Sequence, residues 1–189
     1  METVKKYYQI EFETFAIVMF HPVTTESKLM QNYADDFVEA LMRDSHNYVV
    51  IFPNNYLGSI AILNSYEKLV GNSRFRIFPS LRFEYFLTLL KNSQFLIGNS
   101  SAGIHEAPYY GIPIINIGTR QQNRSLNTDI INVNYTIEEI ANALSNIDNY
   151  KIQTFKNNFG KGNSAQFFLE SLQKNNIWEL NHQKQFRDI

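Results

Sequence analysis

Short apolar runs that alternate with longer amphipathic segments constrain this chain most. Each run has the length of a strand and ends at Pro, Asn or Gly, whereas the segments between the runs carry apolar residues at helical spacing. The six runs predicted to be strands are Phe15–Phe20, Tyr48–Phe52, Phe75–Phe78, Gln94–Gly98, Pro113–Ile117 and Ile130–Val133. The alternation predicts βα units and therefore an α/β fold, a doubly wound parallel sheet between helical layers.

Helices are predicted between and after these strands. Thr24 and Thr25 can cap a helix that runs to about Arg43, with Glu26 at its positive end. The other predicted helices are Ser59–Val70, Phe83–Asn92, a segment from the loop 99–103 to Tyr110, Thr136–Ile147, Lys151–Phe159 and Ser164–Lys174. Because no internal repeat and no linker-like break interrupts the sequence, we expect a single domain over residues 1–189.

The composition excludes several classes of protein. With 17 Lys and Arg against 18 Asp and Glu, the chain has no positive field to attract a polyanion, so we expect no nucleic-acid partner. The absence of cysteine excludes disulfides and thiol catalysis and fits a cytoplasmic protein. The longest strongly apolar run, Phe15–Phe20, is far shorter than the roughly 20 residues of a membrane span, so no membrane anchor is expected. The histidines show no metal-ligand spacing with carboxylates, and we expect neither a metal nor a cofactor.

The loop after the fourth strand is the strongest candidate for a binding site, because ligands of open parallel sheets bind at the carboxyl ends of the strands. Its small residues, among them Gly103, let the backbone approach a ligand closely. A helix that starts in this loop would offer its N-terminal amides to an anion such as phosphate, and Ser100 and Ser101 add hydroxyl donors. Glu106 is then placed to accept hydrogen bonds from ribose hydroxyls. Alternatively, the serines only cap the helix and Glu106 only complements its dipole.

Other candidates follow the neighbouring strands. Arg120 and Arg124, after the fifth strand, carry guanidinium groups that match phosphate oxygens, or they are solvated loop residues. His21, at the end of the first strand, is a structural residue, a phosphate ligand or a proton-transfer group that titrates near neutral pH. Phe86 lies on an apolar helix and either belongs to the core or stacks on a flat ring.

These motifs together resemble the C-terminal half of UDP-N-acetylglucosamine 2-epimerases. The resemblance rests on GNSSAGIHEAP at 98–108, Gly111–Pro113, Asn116–Gln121 with Arg124, and Gly160–Ala165, and it runs in collinear order from about residue 15 to 175. The segment Phe20–Glu26 looks most like the hydrolysing branch of the family, which feeds sialic and legionaminic acid synthesis.

The resemblance implies a fold of the glycosyltransferase B type, in which two Rossmann-like domains hold a UDP-sugar between them. Ser100 and Ser101 would bind the diphosphate and Glu106 the ribose. Phe86 would contact the uracil, and Arg124, with Arg120, would meet the phosphates. His21 would approach the diphosphate and assist the departure of UDP.

The reaction that the resemblance implies begins with removal of the C2 proton and elimination of UDP, and in the hydrolysing branch water then adds with inversion at C2. The acid/base carboxylates of the family lie in an N-terminal domain that this chain does not supply, so we expect a fragment that binds UDP weakly and does not turn over substrate. The family also tends to form homodimers. The alternatives are the nucleotide-binding half of a glycosyltransferase and a non-catalytic sugar-nucleotide binding module.

Overall fold

The computed structural model describes residues 1–124, 129–150, 152 and 162–179. Six parallel strands form one sheet in the order β3-β2-β1-β4-β5-β6, which is the strand order of the Rossmann fold. The strands are β1 Ala16–Met19, β2 Tyr48–Ile51, β3 Phe75–Phe78, β4 Leu96–Gly98, β5 Ile114–Ile117 and β6 Ile130–Val133. The strand order reverses between β1 and β4, so the loops that follow these two strands diverge and leave a crevice between them.

Both faces of the sheet are covered, because successive side chains of a strand point to opposite sides. In β2, Tyr48 and Val50 face one apolar cluster, and Val49 and Ile51 face the other. All four residues are buried. Continuous apolar strands are therefore required here, and this explains why the strand segments stand out in the sequence.

The helices divide between the two faces. On the first face lie α2 Met30–Arg43, α3 Ser59–Tyr66 and α6 Ile137–Asn146. On the second face lie α1 Glu2–Tyr8, α4 Phe83–Lys91 and the single turn α5 Glu106–Tyr109. Two further helices, α7 Ser164–Leu172 and α8 Asn175–Trp178, belong to a second compact unit that spans residues 157–189. The expectation of one domain over residues 1–189 stays a prediction.

The predicted α/β class and all six strands are confirmed, with some strand ends trimmed by one or two residues. The helix predicted from Thr24 begins later, because a 3-10 turn at Thr24–Glu26 precedes α2. Glu26 in this turn binds Thr119 and Tyr135, which holds the turn at the edge of the sheet. The predicted helix Lys151–Phe159 lies outside the described residues, except for Ile152. Among the described helices, none is long and apolar enough to cross a membrane.

Candidate functional site

A cleft of about 440 Å³ lies at the carboxyl edge of the sheet. It is lined by the ends of β1, β2 and β3, by the first half of α4 and by the loop after β4. Five of the residues predicted from the sequence line it together: His21, Phe86, Ser100, Ser101 and Glu106. The cleft therefore occupies the switch point of the sheet, where open α/β folds bind their ligands.

The loop after β4 begins with a glycine that the fold requires. Gly98 has a φ of +136°, and a Cβ atom there would lie 2.1 Å from the carbonyl oxygen of Met19 on β1. No other residue could therefore bring β4 this close to β1 and still turn into the loop. The loop continues with Ser100, whose Oγ accepts a hydrogen bond from the Ala102 N–H at 3.3 Å, and with the exposed Ser101.

The helix predicted from this loop to Tyr110 is not continuous. The structure has a 3-10 turn at Ser101–Gly103, and α5 begins only at Glu106. Pro108 explains the break, since proline has no N–H to donate to the carbonyl of Ile104 and its ring crowds that carbonyl. The loop therefore presents the hydroxyls and backbone amides of one turn, without the dipole of a long helix.

Gly103 does not line the cleft. It is buried, and a Cβ atom at this position would lie 3.1 Å from the Ile114 side chain of β5. The geometry indicates that Gly103 lets the turn pack closely against β5. Its predicted contact with a nucleotide stays a prediction.

The ring of His21 is held as a neutral hydrogen-bond donor. Its Nδ1 atom accepts a hydrogen bond from the backbone N–H of Asn54 at 3.1 Å, so the ring proton resides on Nε2. Burial, helped by the positive charge of Arg120, lowers the pKa of His21 to about 4. At neutral pH, therefore, the ring of the ligand-free chain does not titrate, which differs from the near-neutral proton-transfer group considered among the alternatives above.

Asn99 joins the loop after β1, which contains His21, to the loop after β5, the arginine loop, which carries Arg120 and Arg124. Its side chain is fully buried and pairs twice with the backbone of His21, accepting from the N–H at 2.7 Å and donating to the carbonyl at 2.8 Å. Its own backbone carbonyl accepts hydrogen bonds from Arg120 Nη1 at 2.9 Å and from Gln121 Nε2 at 2.8 Å. Neither Asn99 nor Gln121 was predicted as a site residue, because an isolated amide gives no periodic signal.

The two arginines differ in their surroundings. Arg120 is half-buried, and burial together with the nearby charge of Arg124 lowers the pKa of its guanidinium. Arg124 is exposed at the surface. Neither lines the cleft directly, but Arg120 lies close enough to His21 to act on its pKa. The arginine loop therefore contributes positive charge beside the cleft.

A second polar network holds the start of the arginine loop. Glu26 accepts hydrogen bonds from Thr119 Oγ1 at 2.5 Å and from the Tyr135 hydroxyl at 2.7 Å. The Tyr135 ring stacks on Tyr33 of α2 with centroids 3.8 Å apart. It also packs against Gly118, where a Cβ atom would lie 2.0 Å from the ring. These contacts tie the loop after β5 to the loop after β1.

The apolar end of the cleft carries two phenylalanines. Phe86 is almost fully buried and has one edge in the cleft, whereas Phe83, one turn earlier on α4, is 60% exposed. Their ring centroids are 6.5 Å apart. Phe83 was not predicted from the sequence, since a single aromatic residue at the start of a helix gives no signal of exposure. Phe86 belongs to the apolar core on this face of the sheet, and the exposed Phe83 extends that apolar surface at the cleft. Glu106 lines the same cleft in a half-buried position.

The fold and the cleft define a Rossmann-type α/β protein with a polar site at its switch point. The sequence profile of the family described as UDP-N-acetylglucosamine 2-epimerase matches residues 1–173. The chain therefore belongs to the UDP-N-acetylglucosamine 2-epimerase family, and the resemblance seen in the motifs is confirmed.

Two similar proteins support the same family. The chain is 41% identical over 192 residues to the UDP-N-acetylglucosamine 2-epimerase of Neisseria meningitidis serogroup B, an alignment that covers 100% of this chain and 51% of that protein. It is 25% identical over 150 residues to the UDP-N,N'-diacetylbacillosamine 2-epimerase (hydrolyzing) of Legionella pneumophila, covering 79% of this chain and 40% of that protein. The chain thus spans about half the length, or less, of these relatives.

Solved structures share the fold. The UDP-GlcNAc 2-epimerase of Methanocaldococcus jannaschii in complex with UDP-GlcNAc and UDP superposes with a TM-score of 0.72 at 19% identity, covering 91% of this chain and 48% of that one. The UDP-GlcNAc 2-epimerase of Neisseria meningitidis bound to UDP-GlcNAc superposes with a TM-score of 0.70 at 16% identity, covering 93% and 50%. At this level of identity the likeness establishes the Rossmann-type fold.

Proposed function

We propose that this chain is the UDP-sugar-binding half of a UDP-N-acetylglucosamine 2-epimerase of the hydrolysing type. The observation that carries the proposal is the convergence of His21, Ser101 and Glu106 in one cleft at the switch point of the sheet. The other half is proposed to be a second Rossmann-like domain, completing a glycosyltransferase B-type fold. The whole protein would act in the cytoplasm as a homodimer, as the family resemblance implies.

The diphosphate would bind at the turn after β4. There Ser100 and the exposed Ser101 present hydroxyls, and the Nε2–H of the neutral His21 ring offers a donor from the facing loop. Arg124 would reach the phosphates from the loop after β5, and Arg120 would add positive charge from its fixed position on Asn99. A diphosphate can thus be held by local donors, which is consistent with a chain whose net charge is only −1.

The nucleoside would extend along the cleft toward α4. Glu106, as a carboxylate, can accept hydrogen bonds from both ribose hydroxyls, a role that acidic residues fill in dinucleotide-binding folds. Phe86, with the exposed Phe83 beside it, would bound the flat face of the uracil. The polar and apolar ends of the cleft therefore match the two ends of UDP.

The proposed reaction has two steps. In the first step, a base removes the C2 proton of the sugar, the C2–H electron pair forms a C1=C2 double bond, and the C1–O bond breaks with its electron pair leaving on UDP. In the second step, water adds to the resulting 2-acetamidoglucal: oxygen bonds to C1, and a proton is delivered to C2 with inversion. The products are UDP and N-acetylmannosamine or its bacillosamine-derived analogue.

Within this scheme the chain would serve the leaving group. Negative charge grows on the diphosphate as the C1–O bond breaks, and prepositioned donors from His21, Ser101 and Arg124 would stabilise it. The base for the weakly acidic C2–H would come from the other half. The hydrolysing type is supported by the sequence of Phe20–Glu26 and by similarity to the hydrolysing Legionella enzyme.

Calorimetric titration with UDP tests the binding role. We expect UDP to bind the parent chain weakly, and Ser101→Ala, Glu106→Ala and Arg124→Ala each to weaken binding by about tenfold, the usual worth of a charge-assisted contact. Matched controls are Ser145→Ala and Glu138→Ala on exposed positions of α6, and Arg43→Ala on α2, which should leave binding unchanged. UDP binding that none of the three site variants weakens would refute the site.

An assay for free N-acetylmannosamine tests the division of labour between the halves. Residues 1–189 alone should release none from UDP-N-acetylglucosamine, because the proposed acid/base residues belong to the other half of the fold. Co-expression with the N-terminal half of a relative should give release, and Ser101→Ala should reduce it. Turnover by the isolated chain would show that its own residues supply the base.

A further inference from the structure

One buried amide links the loops on both sides of the cleft. The carboxamide of Asn99 is bonded on both atoms to the backbone of His21, at 2.7 and 2.8 Å, and Asn99 is separated from His21 by 78 residues in sequence. The backbone of Asn99 donates to Met19 O at 3.0 Å, and its carbonyl accepts from both Arg120 and Gln121. Asn99, the first residue after β4, therefore contacts the loops that follow β1 and β5.

The carboxamide extends the sheet beyond the ends of its strands. The last register pair of β1 and β4 joins Met19 to Gly98, and the chains diverge after it. A carboxamide presents N–H donors beside a C=O acceptor, much as a peptide group does, so the Asn99 side chain pairs with His21 where a further strand residue would have done so. Asn99 is 0% exposed, and losing its side chain would leave the N–H and the carbonyl of the half-buried His21 without these partners.

We infer that Asn99 is a positioning residue that holds His21 and Arg120 as one unit facing the ligand. This inference rests on the proposed function for its ligand, but its geometry stands without it. His21 is attached through the side chain of Asn99, whereas Arg120 is attached through the backbone carbonyl. A substitution at position 99 therefore removes the contact with His21 and keeps the carbonyl that accepts from Arg120. The attachment of His21 can thus be tested separately from that of Arg120.

Loss of the Asn99 side chain should change the pKa of the His21 ring. The ring keeps its place through the Asn99 side chain on its backbone and through the Asn54 N–H on its Nδ1. Arg120 is the charge that acts on it, and Glu106 lines the same cleft. A loop freed from Asn99 would expose the ring to water, so its pKa would return toward the ordinary value of about 6.5.

The test compares Asn99→Ala with the parent chain by NMR titration of the His21 ring and by calorimetry with UDP. We expect the titration midpoint of His21 to rise by at least about one pH unit, and UDP binding to weaken by about tenfold through lost preorganisation. Asn116→Ala is the matched control. It removes another buried amide, bonded to Asn132 at 2.8 Å on the adjacent strand, and should lower stability without moving the midpoint or the UDP affinity.

The outcomes separate the inference from the proposed function. A His21 midpoint that stays near 4 in Asn99→Ala, or that moves as far in Asn116→Ala, would overturn the positioning role. Failure of the parent chain to bind UDP would count against the proposed function alone, because the midpoint is measured without ligand. If Asn99→Ala does not fold, Asn99→Ser leaves a smaller void, and its short hydroxyl should release His21 in the same way.

Discussion

The Nδ1 atom of His21 accepts a hydrogen bond from the backbone N–H of Asn54, and this contact fixes the chemistry that the ring can perform. With Nδ1 occupied as an acceptor, the ring is neutral and carries its proton on Nε2. Burial reinforces this state by lowering the pKa to about 4. His21 is therefore a preset donor, whose contribution to an anionic ligand needs no change of protonation.

Binding of UDP should raise the pKa of His21. A diphosphate near Nε2 favours the charged imidazolium, so its effect has the opposite sign to burial and to the charge of Arg120. We expect the NMR titration midpoint of His21 to move upward on saturation with UDP, whereas uridine, which lacks phosphate, should not move it. A midpoint that UDP leaves in place would place the diphosphate away from the ring.

His21 and His46 should make the stability of the fold depend on pH in opposite directions. The folded pKa of His21 lies below its unfolded value, so the stability present above about pH 6.5 falls as the pH drops toward 4, by about 3 kcal/mol. Burial opposes protonation of His46, but hydrogen bonds from its ring to Asp148 and Asp44 outweigh burial and raise its pKa. Its contribution is therefore full below about pH 6.5 and is lost as the pH rises through the folded pKa.

Urea unfolding at several pH values separates the two histidines. His21→Gln should flatten the loss of stability between pH 6.5 and 4, relative to the parent chain. His46→Gln should instead remove stability mainly at and below neutral pH, since it deletes the favourable contacts of the charged ring. Comparing each variant with the parent cancels the contribution of the carboxylates to the pH dependence. If the free energy of unfolding of all three chains changed with pH in parallel, the roles given to both His21 and His46 would be contradicted.

Gly98→Ala should be among the most damaging single substitutions in the chain. The added methyl would lie 2.1 Å from the Met19 carbonyl oxygen, and the φ of +136° is one that side chains rarely adopt. We expect a loss of at least about 3 kcal/mol or failure to fold. Gly71→Ala is the control, because its φ of +81° carries the strain of about 1 kcal/mol with nothing within 4 Å of the new atom. Equal losses of stability for Gly98→Ala and Gly71→Ala in thermal unfolding would show that β1 can move away from the added methyl group at little cost.

The sequence predicts the strands well because a strand buried on both faces must be continuously apolar. Such a run can be recognised from its own residues, without knowledge of the partner strands. The sequence also predicts which loops converge, since parallel strands bring their carboxyl ends to one edge. It predicts the helix after β4 poorly. There the sequence predicted one helix from the loop 99–103 to Tyr110, whereas Pro108 cannot donate a hydrogen bond to the Ile104 carbonyl and the helix is broken.

The residues that organise the site were missed for a different reason. Asn99 and His21 are 78 residues apart, and Tyr135 and Glu26 are 109 residues apart, so the local sequence around each residue does not indicate the contact. An isolated Asn or Tyr is also common on protein surfaces. The parallel pairing of β1 with β4 brings Asn99 to His21, and the convergence of the segments after β1 and β6 at one edge of the sheet brings Glu26 to Tyr135. Both are properties of the whole fold.

Tyr135→Phe tests how far the second network supports the arginine loop. The substitution removes the hydroxyl that donates to Glu26 at 2.7 Å but keeps the ring that stacks on Tyr33 and packs against Gly118. We expect a loss of about 1.5 kcal/mol in the free energy of unfolding, because the hydroxyl loses its hydrogen bond to the Glu26 carboxylate and the longer one that it accepts from the Thr119 N–H. UDP binding should weaken about threefold, since the start of the loop that carries Arg120 keeps the Thr119 hydroxyl on Glu26 but loses the bond from the Thr119 N–H to Tyr135 at 3.4 Å.

Tyr33→Phe is the matched control, because it keeps the stacked pair of rings and leaves the Glu26 carboxylate bonded to Tyr135. It should change neither the stability nor the UDP affinity by more than the error of the measurement. If Tyr135→Phe lowers stability but leaves UDP affinity as in the parent chain, the network stabilises the fold without positioning the arginines. If both variants weaken binding equally, the hydrogen bond from Tyr135 to Glu26 has no specific role in holding the loop.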